Sequence, residues 1–114
     1  MFSQEILKGT IKPLIIKLLK DEKRMYGYQI TQKVKEISGN QIVITEGALY
    51  PALHKLLNDG ILISEIEMIG NRERRYYSLS EAGEKITASK LHEIKESILL
   101  LAQLFDLKVL PYAE

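Results

Sequence analysis

The fold of this chain is decided by the stretch TEGALYPALHKLLNDG, residues 45–60. Leucines recur there at helical spacing, at Leu49, Leu53, Leu56 and Leu57, so that one side of a helix is apolar. Thr45 is a favourable N-cap, and Gly60 can take the left-handed conformation that ends a helix. The stretch therefore predicts an amphipathic helix that packs its leucine side on a core.

The opposite, N-terminal side of this helix has the properties of a surface that enters the DNA major groove. Small residues let a helix approach a groove about 12 Å wide, and its free N–H groups attract phosphate. In helix-turn-helix proteins this end of the second helix meets the base edges. Taken alone, the helix fits a solvated outer face equally well. The predicted DNA-facing residues are Thr45, Glu46, Gly47, Ala48, Tyr50, Pro51, His54 and Lys55.

Two helices are predicted before this stretch. The first has an apolar stripe between Ile6 and Leu19, and Pro13 predicts a break near Gly9–Thr10, with Thr10 as N-cap and the helix running to about Lys20. The second begins at Gly27 or Tyr28, buries Ile30, Val34 and Ile37, and ends at Gly39. Tyr26, Gly27 and Tyr28 are predicted to hold a DNA phosphate at the start of this helix, although either tyrosine fits a role in the core as well.

A β-hairpin with a basic tip is predicted after residue 60. Residues 62–68 alternate, with Leu62, Ile66 and Met68 on one face, and the strand 74–79 returns after a turn at Gly70–Asn71. Alternation favours Tyr77, rather than Tyr76, as the core residue. Arginine at a flexible tip suits phosphate or a narrow minor groove, although a solvated tip is the alternative. The predicted contacts are Asn71, Arg72, Arg74 and Arg75.

The last helix is predicted to run from its N-cap Ser80 to about Lys108, where Pro111 follows. Its apolar residues step by three and four, as in a heptad seam. A helix of about 28 residues spans roughly 42 Å, more than the diameter of about 34 Å expected for a compact chain of this length. Apolar surface that overhangs its own domain predicts a twofold partner. The seam consists of Leu91, Ile94, Ile98, Leu101 and Phe105.

The predicted fold is therefore mainly α with a small β-hairpin: a winged helix-turn-helix at residues 1–79, with a C-terminal dimerisation helix and tail at 80–114. Three blocks, MYGYQI, TEGALYPALHKL and RRYYSLSEAG, resemble the signature of the PadR family of winged-helix transcriptional regulators, in its order and spacing. The family usually has threonine at the position of Ala48, often threonine at the position of Ser80, and commonly an acidic residue at the position of Gln29. Base preference therefore does not transfer from relatives.

The resemblance implies a homodimeric regulator, in its short-tailed branch, that binds an inverted-repeat DNA operator as a repressor. It also implies that the first helix joins the dimer interface, through Ile6 and Leu7. Some relatives sense small aromatic molecules at the dimer centre. The chain has no tryptophan, and Phe105 is the single phenylalanine of the last helix, which leaves such an effector few stacking partners.

Composition excludes several other classes. The 114 residues include no cysteine, so there is neither a disulfide framework nor a thiolate nucleophile, and His54 and His92 are the only imidazoles. The sequence therefore predicts no enzyme, cofactor or metal, and a cytoplasmic protein without membrane span or signal peptide. The net charge of +1 weakens the case for DNA, but residues 1–40 hold eight basic and four acidic side chains. A winged-helix adaptor for protein partners remains the alternative.

Overall fold

The computed structural model describes residues 2–108, which form four helices and a three-stranded antiparallel sheet. The helix–helix–helix–hairpin–helix order and the winged-helix class are as predicted. One short strand, β1, was not predicted, because two residues are too few to show an alternating pattern. The elements are α1 (Gln4–Glu22), β1 (Met25–Tyr26), α2 (Gly27–Ile37), α3 (Glu46–Asn58), β2 (Leu62–Ile69), β3 (Arg72–Leu79) and α4 (Glu81–Leu104).

Helix α1 is continuous through Pro13, so the predicted break near Gly9–Thr10 is wrong. Ser3 is the N-cap, and its hydroxyl accepts a hydrogen bond from the N–H of Ile6 at 3.3 Å. Thr10 lies inside the helix, where its hydroxyl donates to the Ile6 carbonyl at 2.8 Å. A proline in a helix interior costs about 3 kcal/mol, whereas burying one large aliphatic side chain contributes about 1.5–3 kcal/mol. Helix α1 buries six: Leu7, Ile11, Ile15, Ile16, Leu18 and Leu19.

Helices α2 and α3 begin where the sequence predicts. Thr45 caps α3 by accepting the N–H of Ala48 at 3.2 Å, and Gly39 and Gly60 have φ angles of +61° and +75° after the two helices. The predicted burial of Ile37 is wrong, because this side chain is 67% exposed. Ile37 ends α2, and the chain then turns away at Gly39, so that the last turn of the helix is left uncovered.

Strand β3 lies in the middle of the sheet, between β1 and β2. Its register pairs Tyr77 with both Met25 and Ser64, and Tyr76 with both Tyr26 and Glu65. Tyr77 is 2% exposed, which confirms its predicted place in the core. Ile66 and Met68 share a face of β2 with buried Leu62, but their side chains are exposed. The hairpin projects beyond the helices there, so its apolar side chains have no cover.

Helix α4 begins at the predicted cap, since Ser80 Oγ accepts the N–H of Gly83 at 2.9 Å. It ends at Leu104 and not at about Lys108, because Asp106 takes a φ of +56° and the chain turns. Pro111, the predicted stop, lies outside the described residues. The 24 residues of α4 span about 36 Å. The radius of gyration is 15.4 Å, against about 13 Å for a compact chain, because the end of α4 projects.

Candidate nucleic-acid interface

The start of α2, Tyr50 of α3 and the β2–β3 hairpin meet around one surface depression of about 480 Å³, which we call the wing depression. It brings together seven of the residues that the sequence singled out for DNA contact. They come from three separate segments of the chain, so the arrangement exists only in the folded protein. The lining residues are Tyr26, Gly27, Tyr28, Tyr50, Arg72, Glu73, Arg74, Arg75 and Tyr77.

Gly27 allows Tyr50 to lie against the first turn of α2. A Cβ atom at Gly27 would stand 2.6 Å from the Tyr50 hydroxyl oxygen and 3.1 Å from the Tyr50 Cζ. The glycine is therefore required for space rather than for an unusual backbone angle. The sequence predicted that Gly27 admits a phosphate to the backbone, whereas the structure shows that it first admits the side chain of Tyr50.

The N-terminus of α2 faces the wing depression. The backbone N–H of Tyr26 donates to Gln29 Oε1 at 3.0 Å, which closes one half of a capping box. The first N–H groups of a helix lack helical partners and lie at the positive end of its dipole. Gln29 makes its bond without a negative charge, so that this end of α2 keeps its attraction for an anion. Tyr28 is 65% exposed beside it.

The three arginines of the hairpin differ in their freedom. The guanidinium of Arg74 lies 4.1 Å from the centroid of the Tyr26 ring, and Arg75 Nη1 donates to Ser64 Oγ at 3.0 Å. Arg72 makes no side-chain hydrogen bond or ion pair within residues 2–108. Asn71 is exposed at the turn after Gly70, whose φ is +64°. Arg72 and Asn71 can therefore reach outward, whereas Arg74 and Arg75 are held by the fold.

Arg24 is a charged residue of this region that the sequence analysis did not single out. Its Nε donates to Glu65 Oε1 at 3.3 Å, its Nη2 pairs with Glu67 Oε2, and its guanidinium lies 3.7 Å from the centroid of the Tyr76 ring. Strand alternation and the β2–β3 register place Glu65, Glu67 and Tyr76 on one face of the hairpin. The arrival of Arg24 on that face depends on β1, which no sequence pattern revealed.

The same face continues from Arg24 to the wing depression. Tyr76 meets Tyr26 edge to face, with ring centroids 5.4 Å apart and an interplanar angle of 82°. Tyr26 in turn lies under Arg74. We call this set the Arg24 cluster: Arg24, Tyr26, Glu65, Glu67, Arg74 and Tyr76. It joins the hairpin to the start of α2 through two cation–π contacts and one aromatic pair.

The structure does not bring all the predicted residues of α3 into the wing depression. A second groove of about 620 Å³ runs between α3 and the N-terminal half of α1. Five predicted residues line it: Thr45, Gly47, Ala48, Pro51 and Lys55. Ala48 is half-buried against the core, and Lys55 Nζ pairs with Asp59 Oδ1 at 3.0 Å. Glu46 and His54 are exposed and line neither cavity.

Burial raises the pKa of Tyr77 above its ordinary value of 10.0, and the neighbouring Tyr50 contributes in the same direction. Removing the Tyr77 proton would place a negative charge in the core, which burial disfavours. Tyr77 is therefore a neutral anchor under the wing depression. The charged groups among its lining residues are three arginines and Glu73.

The predicted dimer residues fall into two groups. Ile98, Leu101, Phe105 and Ile6 are between 50% and 69% exposed, whereas Leu91 and Ile94 are half-buried and Leu7 is 2% exposed within its own chain. Leu7 has little surface left for a partner. Further apolar side chains are exposed around the end of α4, at Leu99, Leu100, Leu104 and Leu107. The end of α4 is therefore apolar in more than one direction.

Comparison with known proteins shows the family of this chain. The sequence profile of the Transcriptional regulator PadR-like family matches residues 15–89, which is more than half of the chain and includes α2, α3 and the hairpin. The chain belongs to the PadR-like family of transcriptional regulators. The matched residues include all those that line the wing depression.

Two individual proteins similar to this chain are transcriptional regulators. The chain is 37% identical over 62 residues to the Transcriptional regulator Rv3488 of Mycobacterium tuberculosis, and this match covers 54% of the chain and 55% of the relative. The chain thus spans about half the length of that protein. A solved transcriptional regulator from Clostridium thermocellum has a TM-score of 0.78 and 25% identity, over 90% of this chain and 97% of that one.

A third likeness is to Bacillus subtilis PadR, which was solved in complex with operator DNA. Its TM-score is 0.60 and its identity 25%, over 91% of this chain and 51% of that one.

Within residues 2–108 no group of histidine, aspartate and glutamate side chains is arranged to hold a metal ion. None of the helices in the same range is long and apolar enough to cross a membrane.

Proposed function

We propose that this PadR-like regulator binds double-stranded DNA sequence-specifically, as a homodimer on an inverted-repeat operator. The observation that carries the proposal is the wing depression, where a helix N-terminus, a tyrosine of α3 and three arginines face one space. Helix N-termini and arginines bind phosphate, and a tyrosine hydroxyl donates to it. These contacts would place the exposed start of α3 at the base edges of a major groove.

The structure of the related Bacillus subtilis PadR with operator DNA supports this use of the fold. In this chain we assign the contacts with DNA phosphates to the residues that line the wing depression. They are Tyr26, Gly27, Tyr28, Tyr50 and the hairpin arginines Arg72, Arg74 and Arg75. The exposed crest of α3, with Glu46, Gly47, Pro51 and His54, is assigned to the bases. Ala48 is half-buried and acts through the close approach that its small side chain permits.

The proposal includes a homodimer because the end of α4 has no cover within the described residues. Single exposed apolar residues are common on proteins, but a continuous apolar patch marks an interaction surface. A second copy that contributes the same helix end would bury both. The dimer would set two α3 helices about one turn of DNA, or about 34 Å, apart.

We further propose that DNA binding causes repression, because a bound dimer excludes other proteins from its operator. Release by a small molecule is part of this proposal. The groove between α1 and α3 shares Gly47, Ala48 and Pro51 with the DNA-facing end of α3. An occupant of that groove would therefore compete with DNA directly.

Selection of bound DNA from a pool of random duplexes tests the function. We expect enrichment of a consensus with twofold symmetry. A variant with Arg72 and Arg75 changed to alanine should recover much less DNA, whereas the control with Lys85 and Lys90 changed to alanine, which loses the same charge from α4, should recover as much as the wild type. Recovery of no enriched site would contradict the proposal and favour the protein adaptor.

A further inference from the structure

The Arg24 cluster contains a feature that a DNA-binding hairpin has to overcome. Glu65 and Glu67 lie on the same face of the hairpin as Arg74, and the register places Glu67 directly opposite Arg74 and Glu65 opposite Tyr76. Two carboxylates beside phosphate-binding arginines repel the same phosphates. Both side chains remain substantially exposed, at 64% and 46%. A cation must therefore offset them for the hairpin to attract DNA.

Arg24 is placed to supply that cation. Its guanidinium contacts both carboxylates at once and stacks on Tyr76. The residue lies between α1 and β1, on the body of the domain rather than on the hairpin. Contacts from one guanidinium to two carboxylates and a ring also fix the orientation of the hairpin relative to the body.

We infer that Arg24 is a positioning residue for DNA binding, which offsets part of the negative charge of Glu65 and Glu67 and holds the hairpin so that Arg74 stays stacked beside the start of α2. This inference rests on the proposed function. Arg24 itself need not touch DNA, since its guanidinium is already occupied by the two carboxylates and the Tyr76 ring.

A double-mutant cycle tests the inference with the full chain and the duplex obtained by selection. Arg24→Ala should weaken DNA binding by about tenfold, because it leaves two carboxylates uncompensated near phosphate. The double variant Glu65→Gln with Glu67→Gln should bind more tightly than the wild type, because it removes two negative charges near phosphate. Adding Arg24→Ala to that double variant should then cost less than about twofold, because the ion pairs through which Arg24 holds the hairpin are already absent.

The controls separate charge from stacking and from folding. Arg24→Lys keeps the charge but loses the planar contact with Tyr76, and should weaken binding by about threefold. Lys85→Ala removes another cation that pairs with a carboxylate, at 3.5 Å from Glu81, and should leave binding unchanged. Circular dichroism shows whether each variant is folded.

Three results would overturn the inference. An unchanged affinity of Arg24→Ala excludes a role in binding. An equal loss in both backgrounds shows that Arg24 contacts DNA or merely supports the fold, since removing its partners then brings no rescue. A wild-type chain that binds no duplex overturns the proposed function and this inference with it, whereas the first two results leave the proposed function intact.

Discussion

Gly83, in the first turn of α4, packs directly against the backbone carbonyl of Ile61. A Cβ atom at Gly83 would lie 2.1 Å from the Ile61 oxygen. The same oxygen accepts the N–H of Ser80 at 2.9 Å and the Ser80 hydroxyl at 3.0 Å. The glycine therefore lets the start of α4 attach to the loop that follows α3, and the direction in which α4 leaves the domain depends on this attachment.

Gly83→Ala should lower the free energy of unfolding by about 1–3 kcal/mol, because a backbone carbonyl has to move away from its hydrogen bonds. Gly9→Ala is the matched control, since it lies inside α1 with nothing within 4 Å of the added carbon. It should raise the free energy of unfolding by about 0.5–1 kcal/mol. Urea unfolding measures both, and a shift of both variants in the same direction would contradict the prediction.

Gly27→Ala should lower the free energy of unfolding, because the added Cβ atom would clash with the Tyr50 side chain. The clashing atoms lie at the far end of a partly exposed side chain, so we expect a loss of only about 1 kcal/mol as the ring swings away. The loss should disappear in the Tyr50→Ala background, because the two positions are coupled through this one contact. Urea unfolding of the wild type, the two single variants and the double variant gives the coupling energy between the two positions. Additive losses would place the strain elsewhere.

Arg72→Ala should weaken binding to all duplexes by a similar factor and reduce the slope of log affinity against log salt by about 1. Arg74→Ala should do the same, with an added loss from the contact on Tyr26. Changes at His54 or Ala48 should instead alter the preference among operators. Fluorescence anisotropy across salt concentrations measures these effects. Unchanged affinity in the arginine variants would remove the hairpin from the interface.

Leu101→Glu should convert the proposed dimer into a 13.0 kDa monomer, because a carboxylate at the apolar end of α4 would be buried without a partner in the dimer. Lys95→Glu introduces the same residue at another exposed position of the helix and should leave the dimer intact. Analytical ultracentrifugation gives the mass of each. A monomeric variant should also bind the operator more weakly, since it loses the second half-site. A dimeric Leu101→Glu protein would place the interface elsewhere.

Much of the fold was predictable because its determinants are local. Apolar spacing shows helices α2 and α3, Thr45 and Ser80 mark the caps of α3 and α4, and Gly70 marks the hairpin turn. The predictions that were wrong concern competition between local and distant effects. Pro13 favours a break, but burial of the α1 face outweighs it. Ile37 continues the apolar stripe of α2, but the helix ends there without a neighbour to cover it.

The sequence by itself determined the winged-helix order, the family and the residue types of the proposed DNA-facing surface, because each depends on neighbours along the chain. Only the tertiary structure decided how that surface is divided. In the folded chain Tyr50 lies against Gly27 in the wing depression, whereas Thr45 and Lys55 line the groove beside α1. Arg24 contacts Glu65 and Glu67, which lie some 40 residues further along the chain. Such contacts arise from the packing of α1, β1 and the hairpin, and spacing along one segment contains no information about them.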